Sequence, residues 1–134
     1  MEWKEYFSIM EELILATASK KGEPNAIVVI SMGLEKDKLI IADCQMDKTI
    51  KNIKENNKVA IVSNYHRILG TAEIFKSGKY YDICVEECEG YEVKNAVVVD
   101  IESVFNLDKL EVVYEKKPKS TKTKTTTKKT KLKK

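Results

Sequence analysis

Ten residues, Ile40-Ile41-Ala42-Asp43-Cys44-Gln45-Met46-Asp47-Lys48-Thr49, hold the pattern with the most chemistry in it. An apolar strand end runs through a short polar loop into what the following spacing predicts is a helix. The first turn of a helix has unpaired N–H groups and the positive end of the helix dipole, so it favours an anion. Lys48 adds a full positive charge there and Thr49 a hydroxyl donor. A lysine in a first turn works against the dipole by about a few tenths of a kcal/mol unless something negative offsets it. The segment is therefore a candidate phosphate site, and the alternative is a solvated lysine beside a capping Asp47.

Other chemistry is sparse. Cys84-Val85-Glu86-Glu87-Cys88 places two thiols one helical turn apart, as two ligands of a metal site could stand. Structural zinc takes four, however, and only Cys44 and His66 remain to complete a set, so free thiols are the expectation. A single histidine excludes histidine clusters, and a serine-histidine-aspartate triad would have to recruit His66. The five glycines are scattered, with no glycine-rich phosphate loop among them.

The elements that must position these residues follow from periodicity. Trp3, Tyr6, Phe7, Met10, Leu13 and Ile14 recur at helical spacing and predict an opening amphipathic helix that ends near Leu13, with strand character from Ile14 to Ser19. Lys20–Pro24 reads as a turn. Asn25–Met32 and Lys38–Cys44, dense in valine and isoleucine, read as strands joined by a hairpin loop over Gly33–Asp37. Asp47–Asn57 is predicted helical, with Ile50 and Ile53 on one face and Asn56-Asn57 as its stop. Lys58–Asn64 and Arg67–Phe75 read as strands around a solvent-exposed turn at Tyr65-His66. Gly70 within the second marks a bulge or a close backbone approach. Lys79–Glu89 reads as a helix, Asn95–Asn106 as a long strand and Leu110–Tyr114 as a short edge. Hairpins without regular crossover helices point to a mainly β chain, an antiparallel barrel or sandwich, rather than a doubly wound sheet.

The overall charge of +3 averages two unlike parts. From Glu115 to Lys134 ten lysines stand against one glutamate, a net +9, which leaves −6 on residues 1–114. The expected organisation is one domain over 1–114 and a disordered lysine- and threonine-rich tail over 115–134, too poor in apolar side chains to offset its ordering entropy. Such a tail binds polyanions weakly and without sequence preference, and has no aromatic side chains on which to stack bases. The longest apolar run, Ala26–Ile30, is far too short to cross a membrane, and the charged start does not read as a signal peptide. An odd, sparse set of cysteines suits a reducing, cytoplasmic setting.

The segments Pro24–Ser31, Met46–Asn52, Lys58–Val62, Gly70–Ile74 and Asn95–Ile101, in this order and spacing, resemble the pyridoxamine 5′-phosphate oxidase-like split-barrel flavoproteins, and most of all their small FMN-binding members. The likeness covers about residues 5–107. It implies an antiparallel, Greek-key FMN-binding split barrel that forms a homodimer with FMN at the subunit interface. It also implies that Val28, Val29, Ile30 and Ser31 line the isoalloxazine, largely through backbone groups. Ile41 and Ala42 would pack beside the ring and ribityl chain, with Met46 near the flavin and Lys48 and Thr49 on the phosphate. The activity implied is that of a flavin-dependent oxidoreductase. A non-enzymatic electron carrier or flavin store, and a deazaflavin- or haem-binding relative, are the alternatives. The family's arginine near the start of the second strand and its C-terminal substrate segment have no counterpart here, which argues against vitamin B6 synthesis.

Overall fold

In the computed structural model, residues 2–117 are described. A short 3-10 helix, Trp3–Phe7, leads into β1 (Glu12–Ala18), β2 (Pro24–Glu35) and β3 (Lys38–Asp43), then α1 (Lys48–Glu55). After it come β4 (Lys58–Ser63), β5 (His66–Phe75), α2 (Lys79–Glu87), β6 (Asn95–Asn106) and β7 (Glu111–Glu115). The strands form one antiparallel sheet in the order β3-β2-β1-β4-β5-β6-β7, and β3 also pairs with β6. That last pairing, from Lys38↔Asp100 to Asp43↔Asn95, closes six strands into a barrel. Because β4 returns past α1 to lie beside β1, the first four strands make a Greek key. β7 continues along the edge of β6 where β3 leaves it.

Alternation fills the barrel. Leu13, Leu15, Leu39, Ile41, Ile61, Ile68, Val97, Val99 and Ile101 point inward and are fully buried, with Phe7 closing one end. α2 packs outside the barrel, where Cys84 meets Met32 of β2, Ile40 of β3 and Ala96 of β6 in a second small core.

The opening helix is corrected. Only Trp3–Phe7 coils, as a single 3-10 segment, Ser8 is extended, and Met10 has a φ of 76°, which no helix accepts. Glu12–Ala18 is a strand throughout, with Leu13, Leu15 and Thr17 buried. Over so few residues, spacings of three and four fit either period; pairing with β2 on one side and β4 on the other decides for the strand. β2 also runs on through Gly33, Leu34 and Glu35, across a register shift between Ser31 and Leu34, so the turn is only Lys36-Asp37. α2 stops two residues earlier than its spacing suggested.

The β4–β5 turn is corrected as well. It is Asn64-Tyr65, both with positive φ, the twist that a two-residue hairpin demands. His66 belongs to β5, is buried, and stacks on Tyr6 with ring centroids 4.8 Å apart. Its Nδ1 lies 2.8 Å from the Asn64 carbonyl oxygen, so of the two residues expected at the turn only Tyr65 is exposed, at 71%.

Gly70 answers the expectation drawn from its type. The β5–β6 register shifts between Leu69 and Gly70, and a Cβ there would run into the Asp100 carbonyl oxygen and Val99 Cγ1. At the other end, Glu115 pairs with Ser103, the Lys116 N–H donates to the Glu102 carbonyl, and Lys116 Nζ reaches both Asp100 carboxylate oxygens at 2.9 Å. Both residues thus belong to the barrel, although composition assigned them to the tail. The tail from residue 118 lies outside the described residues. Among the described residues no helix is long and apolar enough to cross a membrane.

Candidate functional site

A cleft of about 610 Å³ opens between the outer face of β2, the loop from β3 into α1, and the C-terminal end of α2. β2 is pleated, so Val28, Ile30 and Met32 turn to the cleft while Ile27, Val29 and Ser31 alternate with them. Ala42, Cys44 and Met46 come from the β3 end and the loop, Lys48 and Thr49 from the first turn of α1, and Cys88 and Tyr91 from the far side. One end is thus walled by aliphatic and sulfur side chains. The other is a helix start.

At that start Asp47 occupies the N-cap position without a side-chain hydrogen bond to the helix, and the first intrahelical bond runs from the Lys51 N–H to the Asp47 carbonyl. The N–H groups of Lys48, Thr49 and Ile50 therefore lack partners within α1. The Lys48 side chain is exposed. Thr49 is buried, and its hydroxyl accepts from Asn25 Nδ2 at 3.1 Å, leaving the hydroxyl proton free to donate. The exposed Asp47 carboxylate beside them opposes an anion, so its unused capping capacity has an electrostatic cost for any phosphate bound there.

Val28, Val29, Ile30, Ala42, Met46, Lys48 and Thr49, each marked from the sequence, all line this one cleft. Ser31 and Ile41 do not. Ile41 is fully buried in the barrel core, and the Ser31 hydroxyl donates to the Phe7 carbonyl at 2.8 Å and accepts the Gly33 N–H at 2.9 Å. These two hold the wall from behind.

Several contributors escaped the sequence reading. Asp43 is fully buried, and its carboxylate accepts the Met46 N–H and Asn95 Nδ2, both at 2.6 Å. Asn95 Oδ1 in turn accepts from Lys76 Nζ at 3.0 Å, so β6 and Lys76 help to set the loop that carries Met46 into Lys48. An aspartate three residues before a loop N–H is a local signal of such a turn; the Asn95 half is visible only in the barrel. Met10, Met32, Cys44, Cys88 and Tyr91 gave no signal as cleft residues. Burial pushes the Cys84 thiol up to about 12, helped by Cys88 and Cys44, and it raises Cys88 as well. Among the described residues no three histidine, cysteine or acidic side chains group to hold a metal ion.

Residues 3–116 match the profile of the family described as pyridoxamine 5′-phosphate oxidase. An uncharacterized protein of Methanocaldococcus jannaschii is 38% identical, over 72% of this chain and 73% of that one. The crystal structure of HupZ from Group A Streptococcus superposes with a TM-score of 0.72 at 27% identity, covering 85% of this chain and 100% of that one. An FMN-binding protein from Syntrophomonas wolfei shares the fold, with a TM-score of 0.63 at 20% identity over 75% of this chain and 78% of that one.

Proposed function

This chain belongs to the pyridoxamine 5′-phosphate oxidase family, and from that premise we propose that it is an FMN-binding flavoprotein acting as a flavin-dependent oxidoreductase. The observation that carries the reading is the two-ended cleft: an apolar wall on β2 at one side and, within the same 610 Å³, a helix start with free N–H groups, Lys48 and Thr49. Its size falls in the range of small-molecule cofactor sites. The Syntrophomonas relative is described as binding FMN, which agrees with this assignment. Bound FMN would supply acceptance and donation of a hydride or of single electrons. The chain's own part is to hold and to shield. Val28, Ile30 and Ala42 offer a flat apolar surface to the ring, Val29 contributes backbone, and Met46 fills the corner between ring and phosphate. Lys48, the Thr49 hydroxyl and the first-turn N–H groups of α1 hold the dianion.

The assembly in this proposal is a homodimer. Val28, Ile14 and Val62 lie side by side on the outer face of β2, β1 and β4, with Ala26, Ala16, Ala60 and Leu69 in the next row. Val28, Ile14 and Leu69 are 65%, 47% and 40% exposed. Because Val28 also lines the cleft, a second copy on this face would complete the cleft's open side.

The test is a titration of flavin-free protein with FMN and with riboflavin, which lacks the phosphate. Lys48→Ala should weaken FMN by about tenfold to a hundredfold, the loss of one charged hydrogen-bond partner, and leave riboflavin unchanged. Lys51→Ala, one turn on, should change neither. Equal losses for both flavins in Lys48→Ala would remove the phosphate assignment.

A further inference from the structure

Two asparagine–threonine bonds dock α1 on the end of the barrel, and only one of them reaches the cleft. Thr17 of β1 and Asn25 of β2 are cross-strand partners, and Thr49 and Asn52 stand three residues apart on α1. Asn25 Nδ2 donates to the Thr49 hydroxyl at 3.1 Å, and Asn52 Nδ2 donates to the Thr17 hydroxyl at 3.0 Å. Thr17, Thr49 and Asn52 are buried, and Asn25 is half-buried. Asn25 and Thr49 line the cleft, whereas Thr17 and Asn52 do not. We propose that Asn25 is a positioning residue for the phosphate end of the cleft: its amide makes the Thr49 oxygen an acceptor and so commits the Thr49 proton to the phosphate. The inference rests on the phosphate assignment and extends it to a residue that acts through Thr49.

A hydroxyl carries one proton and two lone pairs. On an exposed threonine water serves all three, and the proton turns freely. Thr49 is only 2% exposed, so its neighbours decide where its proton points. With the Asn25 N–H on one lone pair, the proton cannot point at Asn25 and is left for an acceptor in the cleft. A hydroxyl set in this way meets an anionic oxygen without first reorienting, which is the advantage of a preorganised donor. Without the Asn25 amide the same hydroxyl rotates, and water entering the gap competes for its proton.

The second bond is an internal comparison. Asn52–Thr17 is the same kind of bond, ties α1 to the same end of the barrel, and lies off the cleft. A loss of docking alone follows from removing either bond. A loss of phosphate recognition follows only from removing the one between Asn25 and Thr49. Lys48 differs from Thr49 in this respect, because an exposed ammonium has three equivalent donors and needs no partner to aim it.

The experiment titrates the full chain, freed of flavin, with FMN and with riboflavin, and follows thermal melts alongside. Asn25→Ala should weaken FMN by about twofold to tenfold, the net share of one neutral hydrogen bond, and leave riboflavin unchanged. Thr49→Val, which removes the hydroxyl, should weaken FMN by about tenfold or more, and Thr49→Ser should retain it. The double variant Asn25→Ala/Thr49→Val should lose no more FMN affinity than Thr49→Val alone, because Asn25 then has nothing left to aim. Asn52→Ala should lower the melt and keep the wild-type ratio of FMN to riboflavin affinity. Additive losses in the double variant, equal losses for both flavins in Asn25→Ala, or the same change of ratio in Asn52→Ala each overturn the proposal. The Asn25→Ala comparison stands even if a Thr49 variant does not fold. Wild-type protein that binds both flavins alike removes the phosphate assignment itself. Discrimination lost in Lys48→Ala but fully kept in Asn25→Ala removes only the role of Asn25.

Discussion

The carboxylate of Asp43 is buried with two neutral donors against it, the Met46 N–H and the Asn95 amide. Each bond is worth little net, but an unpartnered buried group costs about 1–3 kcal/mol. Asp43→Ala orphans both donors at once. Urea unfolding should show a loss on that order, and the same variant should bind FMN less tightly because the loop into Lys48 loses its anchor. Full stability loss with unchanged FMN affinity would show that the loop keeps its shape without Asp43. The aspartate illustrates how a side chain that never reaches the cleft can set the residue that does.

Among the elements, β5 and β7 each hold the barrel by a different device. At Gly70 the β5 backbone comes so close to β6 that a methyl group has no room, and the obstacle is a carbonyl that cannot move without its strand. Gly70→Ala should therefore lower stability by about 1–3 kcal/mol, the usual cost of overpacking, measured by thermal or urea melts. β7 is held by charge. Burial alone would raise the Asp100 carboxyl, but the hydrogen bond from Lys116 and the nearby Lys38 outweigh it and hold it below the ordinary 3.8. The folded chain thus binds this proton less readily than the unfolded one. The clamp's contribution is present above the ordinary carboxyl value and is lost as pH falls through the lower folded one. Asp100→Asn should flatten the fall of stability on the acid side of about pH 4. Truncation after Lys117 should leave the melt in place, whereas truncation after Glu115 removes the clamp and should lower it. Equal melts for the two truncations would show that Lys116 contributes nothing.

At the scale of the whole molecule, a closed barrel covers the strand edges but leaves one sheet face with Val28, Ile14 and Leu69 in water. Contiguous apolar patches on a small domain mark association. Sedimentation at micromolar concentration should find two chains per particle. Ile14→Lys, on the patch but outside the cleft, should give single chains that keep their fold and bind FMN more weakly. A wild-type monomer that binds FMN with full affinity would mean that one chain suffices for the site.

What the sequence determined by itself was set by local rules. The valine- and isoleucine-rich runs made β2, β3, β4 and β6 legible, Ile50 and Ile53 marked the buried side of α1, and Gly70 announced a close approach that the barrel supplies. Lys48-Thr49 at a helix start could be read as an anion site because capping and dipole act within one turn. Tertiary structure decided the rest, where the partners are far apart in the chain. Glu12 and Leu13 joined the strand already legible from Ile14 onward because β2 pairs along them, against a helical spacing that was equally good. His66 moved from an exposed turn to a buried stack because Tyr6 lies across from it. Asp43 met Asn95, and Cys44 and Cys88 came to line one cleft, only once β3 had paired with β6 and α2 had folded over them. Periodicity and end effects depend on neighbours in sequence, whereas contacts across a closed barrel depend on which strands pair, and no single segment carries that information.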